Sequence, residues 1–310
     1  MKILIAGGSG LIGRALTREL LRDNHQVVIL SRNPARTPAI SEDVHIAGWD
    51  GKTARGWGQL LEGTDAIVNL AGANIAGDSF FPTRWTNSRK QIIRQSRLDA
   101  GRAIVEAITI AKHKPGVLVQ SSAIGFYGPL VDHAVDETGP TGDDFMARLC
   151  QEWEQSTEAV EMSGVRRVLA RTGIVLSDHG GALGRMILPY KLYAGGPFGD
   201  GKQVMSWIHI ADEVAAIKFL IESPQATGIY NLTAPNPVTN AEFGKTLSKV
   251  MHRPYYLPVP GFAMRMLFGE VATVVLDGQR VLPARLLRSG YEFKFPNIEL
   301  ALQQILANRG

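Results

Sequence analysis

Short apolar runs recur along the chain, separated by longer stretches in which apolar residues return at helical spacing. The runs are "KILIAG", "QVVILS", "AIVNLAG", "VLVQSSA" and "RVLARTGIVL". They are apolar throughout rather than alternating, which is the pattern of strands buried on both faces. Strand-length runs that alternate with amphipathic stretches predict βαβ units. The expected fold class is therefore α/β, a doubly wound parallel sheet with helices on both faces. From about Thr172 the pattern becomes irregular: a glycine-rich loop, "GGPFGDGKQ", precedes "MSWIHIADEVAAIKFLI", which reads as a short strand running into a helix. From about Met251 come paired prolines in "RPYYLPVPGFAMRMLFGE", further helical stretches and a last helix, "IELALQQIL". These shifts divide the chain into residues 1–250, with substrate-side elements from about 172 onward, and a small C-terminal domain over 251–310. The latter elements form a smaller C-terminal α/β region on the substrate side.

Composition narrows the function classes. A chain of 310 residues, 45% hydrophobic and 20% charged, can bury a sizeable core. The net charge of +4 is spread without a basic stripe, so nucleic acid is not an expected partner. A single cysteine, Cys150, forbids an internal disulfide and makes no metal-ligand spacing, which fits a reducing, cytoplasmic setting. Glycines interrupt the apolar start "MKILIAGGSGLIG", and no other run approaches the roughly 18 apolar residues of a membrane span. The expected partner is a small-molecule substrate, with no metal and no membrane; self-association is left open.

The first strand ends in "AGGSGLIG". Gly7 permits a tight turn, Gly10 lets the backbone approach a pyrophosphate, and Gly13 allows helix and strand to pack closely. With Ser9, Leu11 and Ile12 this makes a phosphate cradle at a helix N-terminus, and the sheet reads as Rossmann-like. An NAD site usually places a carboxylate at the end of the second strand. Here "VVILSRNP" puts Ser31 and Arg32 there. Arg32 offers a fork to a 2′-phosphate, so NADP(H) is expected in preference to NAD(H).

These motifs, with "NLAG", "SRLDAGRAIVEAI", "SSAIGFYG", "WIHIADE" and "GQRVLP", resemble the extended short-chain dehydrogenase/reductase superfamily over essentially the whole chain. The resemblance is to the epimerase-family group that carries an added C-terminal domain. It implies that Leu70, Ala71 and Gly72 line the cofactor along the nicotinamide ribose, and that "SSAIGFYG" supplies a catalytic serine. Ser122 is the first choice; the segment is one residue longer than usual, which keeps Ser121 open, and Ser121 is otherwise assigned to the cofactor side.

The superfamily then uses a Tyr-x-x-x-Lys pair on the next helix. The matching positions in "GDDFMARLCQEWE" are Phe145 and Leu149, and no Tyr-x-x-x-Lys occurs anywhere in the chain. Tyr127 is the first substitute, packing beneath its loop being the competing role. His209 is the next, with a hydrogen-bonded scaffold role beside it. Asn74, Arg97 and, from the C-terminal segment, Arg280 are candidates for a polar or anionic substrate. The expectation is an NADP(H)-dependent oxidoreductase or epimerase-like enzyme; the rival is a catalytically degenerate NADPH-binding sensor or scaffold.

Overall fold

The computed structural model describes residues 1–307 apart from 39, 78, 80, 131 and 132. Its strands are β1 (Lys2–Ala6), β2 (Gln26–Ser31), β3 (His45–Gly48), β4 (Ala66–Asn69), β5 (Val117–Ala123), β6 (Ala134–Val135), β7 (Arg166–Thr172), β8 (Ile174–Leu176), β9 (Val204–Met205), β10 (Trp207–His209), β11 (Gly228–Leu232), β12 (Val238–Thr239) and β13 (Arg280–Val281). The helices are α1 (Leu11–Arg22), α2 (Asn87–Ile110), α3 (Phe145–Gln155), α4 (Gly181–Lys191), α5 (Ile210–Glu222), α6 (Asn240–Met251), α7 (Gly261–Phe268), α8 (Thr273–Leu276), α9 (Ala284–Arg288) and α10 (Ile298–Ala307).

The apolar runs build a seven-stranded sheet in the order β11-β7-β5-β4-β1-β2-β3. Every neighbouring pair in it is parallel. Because successive side chains point to opposite faces, each run serves two cores. Ile3, Ile5, Val68 and Val119 pack with Leu16 and Leu20 of α1 and with Ile217 and Leu220 of α5. Leu4, Ile67 and Leu118 pack on the other side with Ile104 and Ile108 of α2. The doubly wound α/β sheet covered on both faces is thus the observed fold. Strand order reverses between β1 and β4, and ligands in such sheets bind at the carboxyl ends of the strands beside that switch point.

A third core lies beyond the sheet, where Trp207, Leu183, Ile187 and Phe243 meet Leu302 and Ile305 of α10. The segment from 251 onward places its apolar residues in cores shared with the rest of the chain: Leu286 and Tyr291 in the first, Ile298 and Leu302 in the third. β13 pairs with β6 in parallel. Asp212 on α5 accepts from the backbone N–H groups of Lys294 (2.7 Å) and Phe295 (2.9 Å), which ties the C-terminal segment to the sheet domain. Among the described residues no helix is long and apolar enough to cross a membrane.

Candidate cofactor and active site

The cradle is built by packing that only glycine satisfies. Gly7 has φ +80°, and a Cβ there would lie 2.7 Å from the Leu70 carbonyl. A Cβ on Gly13 would lie 2.5 Å from the Gly7 oxygen. At Gly10 the nearest atom would be 3.3 Å away, and the residue is exposed, so this position faces outward. Gly10 caps α1 without a side-chain hydrogen bond. The first N–H groups of α1, at Leu11, Ile12 and Gly13, therefore have no side-chain acceptor, as an anion site requires. Ser9 beside them is exposed.

The end of β4 is pressed onto this turn. Leu70 donates its N–H to the Ala6 carbonyl (2.8 Å), and Ala71 donates its N–H to Asn69 Oδ1 (3.2 Å). The Asn69 amide donates in turn to Gln120 Oε1 (2.8 Å), fixing β4 to β5. Leu70, Ala71 and Gly72 are thereby held beside Gly7, with Gly72 exposed. At the end of β2, the buried Ser31 hydroxyl holds Thr37 Oγ1 (2.6 Å) and accepts from the Asn33 N–H (3.1 Å). Arg32 is exposed, its stem beside Gly51, and its guanidinium has no hydrogen bond or ion pair among the described residues. These groups fit a dinucleotide with its phosphates on α1.

At the end of β5 the structure commits both leading catalytic candidates to a buried polar network. The Ser122 hydroxyl donates to Glu154 Oε1 (2.6 Å). Glu154 also receives the Arg171 fork, Nε at 2.8 Å and Nη2 at 2.9 Å. Arg171 Nη1 donates to the Tyr127 hydroxyl (3.0 Å), which donates to Asn231 Oδ1 (2.8 Å). The Arg171 guanidinium lies over the Phe126 ring, 3.4 Å from its centroid. Ser122, Tyr127 and Arg171 are each 2% exposed. Burial raises the Tyr127 phenol above its ordinary value. Tyr127 also packs with Ile124, Val135 and Val281. Ser121, whose side chain alternates to the other face of β5, makes no side-chain hydrogen bond among the described residues.

Phe145 and Leu149 pack with Trp85, Ile93 and Val271, sealing α3 to the start of α2 and to the C-terminal segment. The face of α3 toward the end of β5 carries Met146 and Cys150 instead: a Cβ on Gly125 would lie 3.3 Å from Met146 Cβ and 3.8 Å from Cys150 Sγ. In either register the face lacks tyrosine and lysine. Burial, reinforced by the Glu154 carboxylate, pushes the Cys150 thiol up to about 12, so it is a neutral filler.

The remaining candidates separate. His209 caps α5: its Nδ1 accepts from the Ala211 N–H (3.0 Å), so Nε2 carries the proton donated to Gln304 Oε1 (2.8 Å). Both nitrogens are spent, and burial lowers its pKa. Asn74 closes its own turn, donating to the Gly77 carbonyl (2.8 Å) and accepting from the Ala76 N–H (3.0 Å). Arg280 lies on β13, half-buried, where its charge acts on Glu242 at the start of α6. Arg97 sits beside the cofactor-lining loop: a Cβ on Gly72 would lie 2.9 Å from its Cζ. Arg97 Nη1 donates to the Ala73 and Ile93 carbonyls (both 3.0 Å), and burial lowers its pKa to about 10. Sequence reasoning missed Glu154, Asn231 and Arg171; the one signal was a charged residue inside the apolar run "RVLARTGIVL".

A switch-point cradle on a parallel sheet defines a dinucleotide-binding α/β protein. The family model described as "NAD dependent epimerase/dehydratase family" matches residues 3–233, and one described as a domain of unknown function (DUF1731) matches 259–305. The chain belongs to the NAD-dependent epimerase/dehydratase family. It is 40% identical over 310 residues to epimerase family protein YfhF of Bacillus subtilis, covering 100% of this chain and 99% of that protein. It is 39% identical to the chloroplastic epimerase family protein SDR39U1 homolog of Arabidopsis thaliana, covering 99% of this chain and 87% of that one. The solved structure of human epimerase family protein SDR39U1 (isoform2) with NADPH superposes with a TM-score of 0.87 at 34% identity, covering 99% of this chain and 100% of that one. UDP-glucuronic acid 4-epimerase from Bacillus cereus, solved with UDP-glucuronic acid and NAD, shares the fold alone: TM-score 0.76, 17% identity, 99% of this chain and 98% of that one.

Proposed function

We propose that this protein is an NADP(H)-dependent oxidoreductase or epimerase-like enzyme of the extended short-chain dehydrogenase/reductase type, working in the cytoplasm on a small polar substrate. The observation that carries the reading is the open cradle joined to the unpaired Arg32 at the end of β2. The human relative solved with NADPH supports the same cofactor. Gly7, Ser9, Gly10 and the first N–H groups of α1 hold the diphosphate, and Ser31 positions the backbone from which Arg32 reaches a 2′-phosphate. Leu70, Ala71, Gly72 and Ser121 line the nicotinamide end. NADPH, when bound, supplies a transferable hydride.

The chain's own contribution is a fixed polar floor rather than a proton relay. Ser122, Tyr127 and His209 have their hydrogen-bonding capacity engaged, so among the candidates at the ends of β4 and β5 the free hydroxyl of Ser121 and the guanidinium of Arg97 are left to orient a substrate. A positioned acid or base usually contributes about 10²- to 10⁴-fold, so turnover without one is slow. The test is to incubate the protein with NADPH deuterated at the transferable position and a pooled metabolite extract, following the label by mass spectrometry. Label entering a metabolite is the expected result and names the substrate. Label remaining on NADPH, with binding intact, would overturn the enzyme reading. It would favour the second one, an NADPH-binding sensor, which the same engaged side chains support.

A further inference from the structure

The cations of α2 are matched to carboxylates with two exceptions. Lys90 pairs with Glu270 (2.5 Å), Arg94 with Glu152, and Arg102 with Asp99 (3.9 Å). Arg89 and Arg97, on one face two turns apart, have no carboxylate partner among the described residues. Both instead clamp the loop that follows β4: Arg97 through the Ala73 carbonyl and Arg89 through the Asn74 carbonyl. They are close enough for the charge of Arg89 to act on Arg97. The Arg89 Nε is buried without a partner. A buried cation without an anion is unfavourable, and a pair on one face repel each other as well.

Only one edge of Arg97 is unused. Nη1 is spent on the Ala73 and Ile93 carbonyls, while Nε and Nη2 make no hydrogen bond among the described residues. Among the described residues neither atom is counted with the fully buried unpartnered ones, and 9% of the residue is left to solvent. The guanidinium lies close to Gly72, where an added Cβ would come 2.9 Å from Cζ, and its Cζ is 4.7 Å from the Trp153 ring centroid. What remains is an edge with two parallel N–H donors in the guanidinium plane. That is the side-on fork complementary to a carboxylate, whose two oxygens lie in one plane.

We infer that the free edge of Arg97 is a carboxylate-binding site and that the substrate is a short oxo- or hydroxycarboxylate. The class rests on the oxidoreductase reading, because Gly72 covers the guanidinium and belongs to the loop assigned to the nicotinamide end. Arg89 adds a long-range attraction for the same anion.

The test is calorimetric titration of the full chain, loaded with NADP⁺, with pyruvate, acetamide and inorganic phosphate. Pyruvate is expected to bind at least about tenfold tighter than either of the others. Arg97→Gln is expected to weaken pyruvate by at least about tenfold, with Arg97→Lys in between because it keeps charge but not the fork. Equal binding of acetamide or tighter binding of phosphate by the wild-type chain overturns the site, and that comparison needs no variant to fold. Undiminished pyruvate binding in a folded Arg97→Gln overturns it too. Pyruvate binding without any label transfer from NADPH supports the site while overturning the oxidoreductase reading, so the two fail separately.

Discussion

Single residues decide the cradle. At Gly13 an added Cβ would sit 2.5 Å from the Gly7 oxygen and 2.5 Å from Gly8 Cα, both backbone atoms that cannot swing aside. Gly13→Ala is expected to cost about 2–3 kcal/mol and to abolish NADPH binding, read by denaturant unfolding and calorimetry. Glu213 on α5 makes a different prediction. It is fully buried, accepts from Thr172 Oγ1 (2.8 Å), and leaves Oε2 without a partner. Burial pushes its carboxyl up from 4.5 to about 8. A raised folded-state pKa means the native state holds the proton more tightly than the unfolded chain. The stability this contributes is greatest below 4.5 and is lost as pH rises toward about 8. Glu213→Gln should flatten that loss, so melting temperatures taken between about pH 5 and pH 8 should diverge, the wild type falling more. A wild-type curve no steeper than the variant's contradicts the assignment. The glycines and Arg32 were legible because their meaning is local: spacing along a turn, and position at a strand end. Glu213 was not, since nothing in "IADEVAAI" tells a buried glutamate from a solvated one.

At the scale of elements, the network at the end of β5 joins three pieces of secondary structure: Ser122 on β5, Glu154 on α3 and Arg171 on β7. Breaking a buried ion pair by removing one partner leaves the other charge uncompensated, at about 3–5 kcal/mol. Arg171→Met is expected to destabilise by that order in denaturant unfolding, and Ser122→Ala by only about 1 kcal/mol. A Ser122→Ala variant that keeps full stability but loses all label transfer would instead restore Ser122 to the chemistry. The sequence pattern anticipated the strands and α3 but not how α3 is rotated. Helical period shows which residues share a face; whether Phe145 and Leu149 or Met146 and Cys150 meet β5 depends on Trp85, Val271 and Gly125, distant in sequence. The engaged state of Tyr127 was hidden likewise, because its partners Arg171 and Asn231 lie on β7 and β11.

At the scale of the molecule, the C-terminal segment is woven into the rest rather than appended. Val281 donates its N–H to Ser206 Oγ (2.8 Å), which donates to the Gln279 carbonyl (2.8 Å). Asp212 would lose the Lys294 and Phe295 N–H groups, and the first core would lose Leu286 and Tyr291, if the chain stopped after Leu276. Such a truncation is expected to abolish cooperative thermal unfolding; a truncated chain that melts cooperatively and binds NADPH would show that the segment is dispensable. The central claim, an NADP(H) site made by the cradle and Arg32, is tested most directly by calorimetric titration of wild type and Arg32→Ala with NADPH and NADH. NADPH is expected to bind at least about tenfold tighter than NADH to the wild type, with the preference lost in Arg32→Ala and NADH affinity unchanged. Equal affinities in the wild type, or a preference that survives the substitution, would contradict it.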